Sequence, residues 1–89
     1  MDNRELTEAF RKELKTKIPY LKFVISKTND DSQVVCMANL FCQNRYVGTI
    51  NYFRYHPRYS VVRWVQDESV LGSKTTDSLD EAIKFITYL

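Results

Sequence analysis

Histidine occurs once in this chain of 89 residues, and cysteine, glycine and proline twice each. So little glycine and proline, beside 44% hydrophobic and 27% charged residues, excludes a collagen-like, low-complexity or disordered chain. Gly48 and Gly72 stand alone, so there is no glycine-rich loop to cradle a phosphate. Lys, Arg, Asp or Glu interrupts every apolar run well short of the ~18 residues a membrane-spanning helix needs. Neither sign of charge dominates: the net value of +2 is too small to imply a nucleic acid or an anionic membrane by itself. The length leaves room for one hydrophobic core, hence a single domain over residues 1–89.

Cys36 and Cys42 lie six positions apart in a segment that reads as a strand, which sets them ~20 Å apart on one face, too far for a disulfide. His56 does not complete a zinc site with them, and no metal or cofactor is expected. Both thiols are expected as small buried hydrophobes in a reducing compartment. The start MDNRELTEAF is charged at once, without an apolar leader, and cytoplasm is the expected location.

What is present is strong periodicity. Leu6, Ala9, Phe10 and Leu14 recur at helical spacing, so residues 3–17 are predicted as a helix. Asp2 caps it, with Glu5 in the capping-box position, and Pro19 ends it. Tyr20 to Lys27, Gln33 to Cys42, Arg45 to Phe53 and Tyr59 to Gln66 read as strands. The turn cluster 28–32, Gln43-Asn44 and His56-Pro57 separate them. Within the fourth strand, Val61/Val65 and Val62/Trp64 compete for the buried face. Residues 67–77 read either as a loop or, around Val70-Leu71, as a short fifth strand. Ser78 and Glu81 form a second capping box, opening a helix with Leu79, Ala82, Ile83, Ile86 and Leu89 on its apolar stripe. The short connections predict an antiparallel meander of four or five strands. Two helices cover one face of it, in a two-layer α+β sandwich.

The charge is unevenly placed. Residues 43–66 contain Arg45, Arg54, Arg58 and Arg63 and no acid, whereas residues 67–89 contain five acids against two lysines. Six of the twelve aromatics fall between Tyr46 and Trp64, interleaved with those arginines. Tyr and Arg are enriched at binding hot spots, and the same pair can stack bases and hold phosphates. Arg54, Tyr55, His56, Arg58, Tyr59 and Arg63 are therefore the candidate partner-binding residues, with an acidic protein surface the first expectation and nucleic acid the second. A sheet edge kept soluble by arginines fits the same pattern.

The odd row of the second strand is another signal. If helices cover the even row, Val35, Met37 and Phe41 face solvent beside Val24, Val47 and Phe53, and such a patch points to a second copy of the chain, a homodimer. Catalysis has little in its favour: His56 is the lone histidine, and the adjacent acids lie in loops.

The order helix, strands, helix resembles the double-stranded RNA-binding domain in topology. Where that family opens its last helix with a lysine cluster, this chain has Ser78-Leu79-Asp80-Glu81-Ala82-Ile83-Lys84. The resemblance thus implies a layout rather than RNA binding. Aromatic–basic strands such as RYSVVRWVQDESV, followed by KTTDSLDEAIKFI, resemble small early proteins of tailed bacteriophages. That resemblance implies a non-enzymatic binder that inhibits or redirects a host protein, including a defence protein.

Overall fold

A computed structural model describes residues 2–27, 33–65 and 70–87. The turn read at 28–32, and Gln66 and Leu89 at the ends of their expected elements, lie outside the described residues. Helix α1 spans Asn3–Lys17, and strands β1 to β5 span Lys22–Lys27, Val34–Cys42, Arg45–Phe53, Tyr59–Val65 and Val70–Thr76. Helix α2 spans Leu79–Thr87. The strands form one antiparallel sheet in the order β1-β2-β3-β4-β5, so the segment that read as loop or strand completes a five-stranded meander.

Both helix starts follow from their caps. The Glu5 amide donates to Asp2 Oδ1 at 2.8 Å, and the Glu81 amide donates to Ser78 Oγ at 3.2 Å, each satisfying a first-turn donor that has no partner inside the helix. The β2–β3 hairpin turns on Gln43 and Asn44 with φ of 52° and 65°, both left-handed as a tight two-residue turn demands.

The two helices lie on the same face. Phe10 and Leu14 of α1 pack with Cys36, Ala38 and Leu40 of β2, while Ala82, Ile83 and Ile86 of α2 join Ile50 and Val61 to complete the core. The fit is tight at Gly48, where an added Cβ would sit 2.5 Å from the Val62 carbonyl oxygen and 3.2 Å from the Ile86 side chain. The α1 stripe is Asn3, Thr7, Phe10 and Leu14 rather than the all-apolar set, and Ala9 is exposed. Thr7 makes its burial tolerable by donating its hydroxyl to the Asn3 carbonyl at 2.6 Å.

Two irregularities in the β2–β3 register correct the expected exposed row. The first lies between Val34 and Cys36 and places both Val35 and Cys36 in the core, so Val35 does not face solvent. The second lies between Leu40 and Phe41, where the register passes from Gly48 to Tyr46 and Val47 packs against the core. A bulge adds a residue to one strand and re-aims its neighbours, and simple alternation cannot anticipate it. Cys42, at the hairpin end, is exposed rather than buried. In β4 the competition is resolved by Tyr59 and Val61, which turn inward, leaving Val62 and Trp64 on the opposite face.

Candidate functional site

The connection between β3 and β4 is tied down, not free. Arg54 donates its Nε to Asn3 Oδ1 at 2.5 Å, fastening the loop to the start of α1, and its amide donates to the Gln33 carbonyl at 2.9 Å. Arg58 donates its guanidinium to the Arg54 carbonyl at 2.9 Å, closing the loop on itself across the cis His56–Pro57 bond. Asp77, just after β5, accepts from the Arg58 amide at 2.9 Å and from His56 Nδ1 at 2.5 Å. The His56 hydrogen bond first, and the Arg58 amide second, hold the Asp77 carboxyl below the usual carboxylate range. An acid from the tail thus meets the acid-free middle of the chain.

The six sequence-predicted partner-binding residues therefore separate. Tyr55 is about half exposed and lies against Phe53 with ring centroids 5.1 Å apart. His56 also projects outward, but with Asp77 beside it. Tyr59 belongs to the core, where its ring stacks on Tyr52 at 5.3 Å and on Phe10 at 6.2 Å. Burial first, and the neighbouring Tyr52 second, push its hydroxyl up to about 12. Arg63 lies on the helix side, its guanidinium 5.4 Å from the centre of the Phe85 ring. The four arginines of residues 43–66 form no single stripe.

The side chains brought together lie instead on the sheet face opposite the helices. Register places Val24, Asn39, Thr49, Val62 and Ser73 in one row across the strands, with Met37, Asn51 and Ser60 in the next. Phe41 and Tyr46 pair edge to face at 5.9 Å towards one end. Val24, Met37, Tyr46 and Trp64 on this face are exposed, Val24 at 58%. Polar groups interleave with them: the Thr49 hydroxyl donates to Asn39 Oδ1 at 2.7 Å and also meets the Tyr46 hydroxyl. Trp64 and Tyr46 were missed as members of this surface; the pairing of β3 with β2 reveals Tyr46 and that of β4 with β5 reveals Trp64.

The other tail acids among the described residues, Asp80 and Glu81, are also matched internally. Asp80 accepts from Lys17 Nζ at 2.5 Å, linking the two helices, and Glu81 accepts from Lys74 Nζ at 2.9 Å. Among the described residues no cluster of three or more His, Cys, Asp or Glu is placed to hold a metal ion. No helix among them is long and apolar enough to cross a membrane. No family model matches the chain, and no curated protein or solved structure matches it.

Proposed function

We propose that the chain works without catalysis, as a module that docks on the surface of another protein through the sheet face opposite the helices. The observation that supports this reading is the set of exposed Val24, Met37, Tyr46 and Trp64 on one rigid sheet. Aromatic and Met side chains are enriched at protein interfaces, and a sheet holds them at little further entropic cost. The interleaved Asn39, Thr49, Asn51 and Ser60 suit a partner that offers both apolar and hydrogen-bonding groups. Lys22 lies on the face, Arg45 is exposed at its hairpin end, and an acidic rim on the partner complements both. Inhibition or redirection of a host protein is the biological role that fits such a binder.

Site-specific photo-crosslinking in cells that make the protein tests this reading. A photoreactive residue at Met37 or Tyr46 should yield discrete adducts with another protein, while one at Glu8 or Ala9 on the outer side of α1 should not. Adducts formed solely with further copies of the chain, or equally from both sides, would overturn it.

A further inference from the structure

The sheet has two edges, and they differ in charge. At β5, Lys74 is already matched by Glu81 at 2.9 Å. At β1, a groove of about 590 Å³ runs between the strand and the C-terminal half of α1. Arg11, Lys15 and Lys22 line it with Ile18, Leu21 and Val24, and among the described residues no acid contributes to its wall. Arg11 also pairs with Glu8, whose carboxylate lies 3.6 Å from its Nε, one turn back along α1. Among the described residues β1 has β2 on one side and no strand on the other, so alternate main-chain N–H and C=O groups face the groove.

We propose that the β1 edge takes an extended acidic segment of a partner protein as a sixth strand. The proposal rests on the protein-binding reading for the class of partner but assigns the adjoining edge, which shares Lys22 and Val24 with the sheet face. Main-chain pairing with β1 supplies the attachment. Side chains alternate, one set reaching towards Arg11 and Lys15 and the other lying beside Val24. Charge selects this occupant over a second copy. Full antiparallel overlap of β1 with itself sets Lys22 opposite Lys27 of the second copy at both ends, and like charges directly opposite are destabilising. An acidic strand reverses that sign at each position.

The test uses the full chain and a fluorescein-labelled peptide of alternating Val and Glu, beside a counterpart with Lys for every Glu. The acidic peptide should bind at least ~10-fold tighter by anisotropy, and its affinity should fall as salt is raised. Arg11→Glu with Lys15→Glu, both on α1 and away from the sheet face, should remove that preference while the fold stays intact by circular dichroism. Hydrogen exchange should show new protection at the outward amides of β1 and none at β5. Equal affinity for the two peptides, no binding of the acidic one, or protection confined to β5 would overturn the proposal. Adducts from Met37 and Tyr46 persisting after the double charge reversal would show that such a failure belongs to the edge and not to the sheet face.

Discussion

Tyr59 shows how far context moves a side chain from its expected use. In the string FRYHPRYS it looks like the partner of Tyr55, yet the two tyrosines face opposite ways, Tyr55 outward and Tyr59 into a stack with Tyr52 and Phe10. Its raised pKa has a direct consequence for stability. The folded state resists ionisation that the unfolded chain accepts near pH 10, so the contribution is complete below pH 10 and is lost as pH rises towards about 12. The loss is on the order of 2–3 kcal/mol, and Tyr59→Phe should flatten the alkaline limb of a denaturation series followed by circular dichroism. The two thiols also divide by environment. Burial pushes Cys36 up to about 11, whereas Cys42 is exposed, so iodoacetamide should label Cys42 in the folded protein and Cys36 only after unfolding. Mass spectrometry of the labelled chain reads this directly. Arg54 is the third case: Arg54→Ala removes one donor to the buried Asn3 side chain and should cost about 1–2 kcal/mol in urea unfolding.

At the scale of elements, the features legible in the sequence were those with local causes. Asp2–Glu5 and Ser78–Glu81 announce the helix starts because a cap is satisfied within four residues, and Gln43-Asn44 announces the hairpin because the turn is two residues long. What depended on pairing between strands was not legible. The two register shifts in β2 and β3 send Val35 and Val47 inward, and the face of β4 is settled only by its partners. Asp77 reaches His56 and Arg58 across 21 and 19 residues, a contact without a local signature. The same pairing makes Gly48 and Gly72 unequal. Gly48→Ala drives a methyl against the Val62 backbone at 2.5 Å and should cost about 2–3 kcal/mol. Gly72→Ala meets the Phe85 ring at 3.3 Å, which can turn aside, and Arg63 Nε at 4.0 Å, and should cost about 1 kcal/mol or less. At the hairpin, Asn44→Gly removes the penalty of a left-handed side-chain-bearing residue and should add up to ~1 kcal/mol.

For the whole molecule, the composition of the sheet face bears on whether a second copy or a different protein would cover it. A self-associating patch drew its force from Val35, Met37 and Phe41 with Val24, Val47 and Phe53 alongside, but Val35 is wholly buried and Val47 packs against the core. Val24, Met37 and Phe41 remain, and among them and Val62 lie Asn39, Thr49, Asn51 and Ser60. Homodimer interfaces are the more apolar class, close to a domain core in character, and a face mixed to this degree falls short of that. Lys22 also sits on the face with no acid beside it in the register rows, so two stacked faces gain no charge pairing. The expected state at micromolar concentration is therefore a monomer, read by light scattering at several salt concentrations. Trp64→Asp and Met37→Asp change partly exposed positions and should leave the monomer mass unchanged, with a modest fall in melting temperature, while abolishing the photo-crosslinks to the partner. A stable dimer dispersed by Met37→Asp would instead assign the face to the chain's own copy, and the partner would have to be sought along β1.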